Sequence, residues 1–127
     1  MSREERALIE LTYAAFEAEG HLPADGWRAV LRGLLAEDFR LRRSTGEVED
    51  REQMIARLGA GPAVRRKLLA RPAATILGAV GLVRSQVGIA VDGRTEIFRN
   101  LQLCEFGEGG WRCVYWRVTR DDRLRGR

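Results

Sequence analysis

Chemistry in a small chain needs polar side chains that converge, and here they gather on the last two extended segments. Asn100, Gln102, Tyr115 and Arg117 alternate there with apolar residues. A turn centred on Glu108-Gly109 sets Phe106 opposite Trp111 and Cys104 opposite Cys113. Period-two alternation then puts Phe98, Asn100, Gln102, Cys104 and Phe106 on one face with Trp111, Cys113, Tyr115, Arg117 and Thr119. Amides, a phenol and a guanidinium among aromatic walls suit a pocket for a small anionic or oxygen-rich ligand. The other face carries Ile97, Leu101, Leu103, Val114, Trp116 and Val118, ringed by Arg99, Glu105, Arg112 and Arg120. Turned outward, that face is an apolar patch that a monomer does not leave in water, so a homodimer through it is expected. Alternation alone leaves the reverse assignment of the two faces open.

Other candidate groups fall short of a reactive set. Cys104 and Cys113 face each other across the hairpin, a position that strains a disulfide and suits two small core residues. Two thiols do not make a zinc site, and neither a metal nor a cofactor is expected. His21, the only histidine, lies between Gly20 and Leu22-Pro23 with no convergent partner. Asp38 and Asp50 sit where turn and cap residues belong. No serine-histidine-aspartate set or nucleophile elbow is present, and Gly59-Ala60-Gly61 runs into Pro62 rather than the lysine of a phosphate loop.

The chain that must position these groups has 127 residues, one domain's worth, read as residues 1–120 with a basic tail at 121–127. With 45% apolar and 31% charged residues it can bury a core. No apolar run approaches the roughly 18 residues that cross a bilayer. The opening Met1-Ser2-Arg3-Glu4-Glu5-Arg6 lacks the order of a signal peptide, so a cytoplasmic location is expected. Charge is split: residues 1–52 hold 8 bases and 12 acids, residues 53–127 hold 14 bases and 6 acids. A basic half can attract anions, but no nucleic-acid-binding signature accompanies it, and nucleic acid is not an expected partner.

Periodicity predicts a helix over 3–18, with Leu8, Leu11, Ala15 and Ala18 in one stripe and Ser2 as cap. A second follows Asp25, burying Trp27, Val30, Leu31, Leu34 and Leu35. An extended segment runs over 39–44, with Phe39, Leu41 and Arg43 on one side, and a short return strand over 48–49. Asp50 caps a third helix over 51–58, and residues 63–71 read as one or two further helical turns. Strands are expected at 73–78, 81–91, 94–106 and 111–120, with Asp92-Gly93 a hairpin turn. Helices first and a long meander after predict an α+β domain with helices on one face of a curved sheet.

That order resembles the nuclear transport factor 2-like superfamily, in particular its SnoaL-like bacterial branch. The resemblance is carried by Leu34-Leu35-Ala36-Glu37-Asp38-Phe39, by Gly46-Glu47-Val48-Glu49-Asp50-Arg51-Glu52, and by Gly109-Gly110-Trp111-Arg112-Cys113-Val114-Tyr115-Trp116-Arg117-Val118-Thr119-Arg120. It implies three N-terminal helices packed in the concave face of a strongly curved, mainly antiparallel sheet, a cone with a pocket inside. It also implies pairing of subunits through the convex face. Tyr13 matches the tyrosine of the isomerase members, whereas Arg43 stands where their base carboxylate belongs and Gln102 where their protonated acid belongs. Arginine does not abstract a proton at neutral pH, so carbon-acid isomerisation is not expected. The aspartates that flank the arginine of the epoxide hydrolases are also missing. The pocket candidates are therefore Tyr13, Arg43, Asn100, Gln102, Tyr115 and Arg117. Three functions stay open: a small-molecule-binding domain, a non-catalytic association module, and a lyase, isomerase or hydrolase working through Tyr13 with arginine and amide donors.

Overall fold

Side-chain caps, tight turns and one bulge set the frame of this protein. The computed structural model describes residues 2–21, 24–60 and 66–121. The elements are α1 (Arg3–His21), α2 (Ala24–Leu34), β1 (Leu35–Arg42), β2 (Val48–Asp50) and α3 (Arg51–Ala60), then β3 (Arg66–Leu68), β4 (Ala73–Leu77), β5 (Val80–Val91), β6 (Arg94–Gly107) and β7 (Gly110–Arg120). Ser2 Oγ accepts the Glu5 N–H at 3.1 Å and opens α1. At α3 the cap closes both ways: the Gln53 N–H donates to Asp50 Oδ1 and the Asp50 N–H to Gln53 Oε1, each at 2.8 Å. Asp50 is thus a cap, as its position implied.

The seven strands form one sheet in the order β2-β1-β7-β6-β5-β3, with β4 also paired to β5. Only β1 and β7 run parallel; every other pair is antiparallel. Asp92 and Gly93 both take positive φ, 48° and 75°, and set β5 against β6 from Val91↔Arg94 onward. That is the primed two-residue turn whose twist matches the strands it joins. Helices α1, α2 and α3 all contribute to a single core with β1, β5, β6 and β7: Leu8, Trp27, Leu31, Met54 and Ile55 meet Leu35, Phe39, Leu41, Val83, Cys104, Cys113 and Trp116. α1 reaches the sheet closely at Gly81, where a Cβ would stand 2.3 Å from Leu8 Cδ1. Among the described residues no helix is long and apolar enough to cross a membrane.

Two local expectations change. Residues 66–68 form the edge strand β3 against Val87–Ile89 rather than a helical turn; residues 63–65 of that expected helix lie outside the described residues. β1 begins at Leu35, not at Phe39, because Leu35 pairs with Cys113 on β7 and enters the core. Asp121 is buried, its N–H bonds to the Ile97 carbonyl, and its carboxylate accepts the Arg99 Nε–H at 2.8 Å. Residues 122–127 lie outside the described residues.

The largest change is one of sidedness. From Gly107↔Gly110 to Cys104↔Cys113 the hairpin holds the expected register, but the next partner of Leu103 is Tyr115, not Val114. Val114 is the extra residue of a β-bulge, and a one-residue insertion reverses every side chain beyond it. Trp116 and Val118 therefore turn to the helix-covered face, and Tyr115 and Arg117 to the open one. Burial agrees: Trp116 is only 6% exposed and belongs to the core, while Arg117 is exposed. On β6 the alternation holds as expected, with Asn100, Gln102 and Cys104 buried.

Candidate functional site

The helix-covered face of the sheet is divided between two helices. Near α1 it is solid. Gln102, 1% exposed, meets α1 through Thr12, whose hydroxyl lies 3.2 Å from Gln102 Oε1 and 3.1 Å from the Leu8 carbonyl. Cys104 and Cys113 fill the same region as buried free thiols. Their mutual hydrogen bond and their burial push the Cys113 thiol well above its ordinary range. Removing the Thr12 hydroxyl strands a buried amide oxygen, so Thr12→Val is expected to cost about 1–3 kcal/mol. The double variant Thr12→Val/Gln102→Leu is expected to recover part of that loss in urea denaturation. Costs that simply add would mean that the two side chains do not act as a pair.

Near α3 the same face carries a pocket of about 190 Å³ that opens to solvent. Its apolar walls include Leu41, Met54, Leu58, Val87, Phe98, Trp116 and Val118; its polar groups are Arg43, Ser44, Arg57, Arg66 and Asn100. Each comes from a different constraint. Arg43 follows β1 on the inward parity of Phe39 and Leu41, and its backbone is fixed by the turn that returns to β2. The Arg43 N–H donates to the Glu47 carbonyl, and the Gly46 N–H donates to the Arg43 carbonyl, both at 2.8 Å. Met54, Arg57 and Leu58 share one face of α3, as positions three and four apart must. Asn100 lies on β6 opposite Ser85, buried between the two regions.

The charged side chains that line the cavity are arginines. Arg57 Nε donates to Glu49 at 2.8 and 2.9 Å, and that carboxylate is 13% exposed. Arg43 is held more loosely, 3.6 Å from the exposed Glu47. No described residue lining the cavity is an aspartate, glutamate, histidine or cysteine. Among the described residues no group of three or more such side chains could hold a metal ion. What the lining offers is three guanidinium groups, a hydroxyl and an amide among apolar side chains.

Of the six candidates read from sequence, Arg43 and Asn100 line this cavity. Gln102 faces the same side but is spent on Thr12. Tyr13 is 37% exposed, about 100° around α1 from the Thr12 contact, and does not line the cavity. Tyr115 and Arg117 lie on the open face because of the bulge, where Arg117 lines a shallow hollow with Arg84 and Leu101. Of the six residues expected on the dimer face, Ile97, Leu101, Leu103 and Val114 remain on the open side. Trp116 and Val118 are cavity walls instead. Arg57, Arg66, Trp116 and Val118 were not foreseen. Arg57 was legible as the neighbour of Met54 and Leu58 on a helical face; the others depend on distant pairing.

Three helices with an open, mainly antiparallel sheet make an α+β domain, and its fold is that of nuclear transport factor 2-like proteins. An NTF2-like protein from Cytophaga hutchinsonii ATCC 33406 superposes with a TM-score of 0.78 at 19% identity, over 95% of this chain and 100% of that one. A nuclear transport factor 2 (NTF2-like) superfamily protein from Salmonella enterica serovar Typhimurium gives 0.76 at 16%, over 92% and 90%. The S. rosetta CaMKII hub gives 0.78 at 12%, over 95% and 99%. At these identities the likeness is one of fold. No family model matches the sequence, and no curated protein matches it significantly.

Proposed function

We propose that the protein binds a small anionic, oxygen-rich molecule in the cavity beneath α3. The observation that carries this is the gathering of Arg43, Arg57, Arg66 and Asn100 around one cavity whose apolar walls include Phe98 and Trp116. A void of about 190 Å³ sets the size of the part of the ligand that is buried. An engineered apolar cavity of about 150 Å³ takes one benzene, so this one suits a single ring or a short chain bearing a carboxylate. Burial of the ring against Trp116 supplies affinity, and the guanidinium supplies choice of charge through charge-assisted hydrogen bonds.

The test is calorimetry and thermal shift with benzoate as probe and benzamide as its neutral counterpart. Benzoate is expected to raise the melting temperature more than benzamide does. A hydrogen bond to a charged group is worth about 1.5–3 kcal/mol, so Arg43→Ala is expected to weaken benzoate binding roughly tenfold or more. Equal binding of both probes, or an unchanged affinity in the variant, would remove the cavity from this role.

A second reading is association through the open face of the sheet, as a homodimer. It is supported by the half-buried Ile97, Leu101, Leu103, Val114 and Tyr115 on that face and by the fold shared with a hub domain. The two readings use opposite faces and are compatible. An enzyme remains the third reading; with no aspartate, glutamate, histidine or cysteine among the described residues lining the cavity, it would act on a substrate that brings its own acidity.

A further inference from the structure

The open face carries a row of side chains that the apolar contact does not explain. Cα partners run across six strands as Val48, Arg42, Arg117, Leu101, Arg84 and Ala73, with no acid among them. Elsewhere on this face arginines have acidic neighbours. Arg40 stands opposite Asp50, Arg112 opposite Glu105, and Arg99 bonds Asp121. Arg42, Arg84 and Arg117 are exposed, and among the described residues none of the three forms an ion pair. Arg42 and Arg117 are direct partners on adjacent strands, about 5 Å apart. Like charges placed so repel, and the fold tolerates the arrangement only where water or a counter-ion screens it.

Leu101 sits in the middle of this row, between Arg117 and Arg84, and with both lines a shallow hollow. A two-fold contact uses the same patch on both subunits. Any such contact that buries Leu101 against its twin therefore brings Arg84 and Arg117 of both copies into one interface, with no acid in the row to offset them. We propose that the row is half of an oxyanion site that a second copy of the chain completes, so that a free polyvalent oxyanion of the pyrophosphate class bridges the two subunits and tightens their association. This rests on the association reading above. Guanidinium groups from two chains then share one anion through paired N–H···O bonds, the geometry arginine is built for. Binding of the anion and pairing of the subunits become linked equilibria.

The experiment is sedimentation equilibrium of the full chain at constant ionic strength, in chloride with and without inorganic pyrophosphate. The wild type, Arg117→Gln and Leu103→Glu are compared. Pyrophosphate is expected to tighten the wild-type dimer about tenfold, within the ordinary range of such couplings. Arg117→Gln is expected to dimerise in chloride at least as well as the wild type, because a repulsion is gone, and to lose its response to the anion. Mere structural damage would weaken the dimer instead. Leu103→Glu is expected to stay monomeric in both buffers. A wild type that is monomeric in every condition overturns the association reading and the bridge with it. A wild-type dimer indifferent to pyrophosphate, or an Arg117→Gln dimer that responds like the wild type, overturns the bridge and leaves the dimer standing.

Discussion

Trp116→Glu is expected to unfold the domain rather than split a dimer. Trp116 pairs with Leu41 across the parallel β1–β7 contact and lies in the core, where it also walls the cavity. Removing a buried tryptophan side chain costs about 3–5 kcal/mol. A carboxylate in its place must be desolvated or protonated, which adds a penalty of several kcal/mol more. A domain of this size has about 5–15 kcal/mol of stability in total, so little or none would remain. Loss of the cooperative thermal transition in circular dichroism is the expected readout. A Trp116→Glu chain that melts like the wild type would put this side chain on the open face and abolish the bulge at Val114. Leu103→Glu is the control: half-buried on the open face, it is expected to leave the melting transition nearly in place.

Phe39→Ala is expected to cost about 3–5 kcal/mol in urea denaturation. Phe39 has no exposed surface and is among the largest fully buried side chains of the protein. It lies within the irregularity in the β1–β7 register between Leu35 and Arg40. Helices from both sides contribute to the same cluster, Leu31 from α2 with Met54 and Ile55 from α3. Three separate elements cannot all collapse into the space one ring leaves, so the cavity term adds to the transfer term. Phe39→Leu is expected to lose less than half as much, since most of the volume is kept. A loss under about 1 kcal/mol for the alanine variant would mean that this part of the core is loosely filled.

How much of this was readable beforehand follows from the range over which each choice is made. The caps at Ser2 and Asp50, the turn at Asp92-Gly93 and the first four pairs of the last hairpin are settled within a few residues, and they stand as the amino acids imply. So does the inward set of β6, because a strand buried on one side tolerates no slip between Asn100, Gln102 and Cys104. The element order, and with it the fold class, is the sum of such local choices.

The sidedness of β7 is of another kind. Nothing in Cys113-Val114-Tyr115 announces a bulge, since all three residue types sit comfortably in a regular strand. The extra residue is taken up where β7 must satisfy two neighbours together, antiparallel to β6 and parallel to β1. β1 departs 78 residues before its partner returns, so no local pattern can carry that register. The same long-range pairing sends Trp116 and Val118 inward to wall the cavity and leaves Tyr115 and Arg117 in the open. It also sets Arg42 beside Arg117, two like charges that neighbouring residues in the chain give no reason to bring together. Alternation is a rule about adjacent residues, and one insertion demanded by a distant strand is enough to invert it.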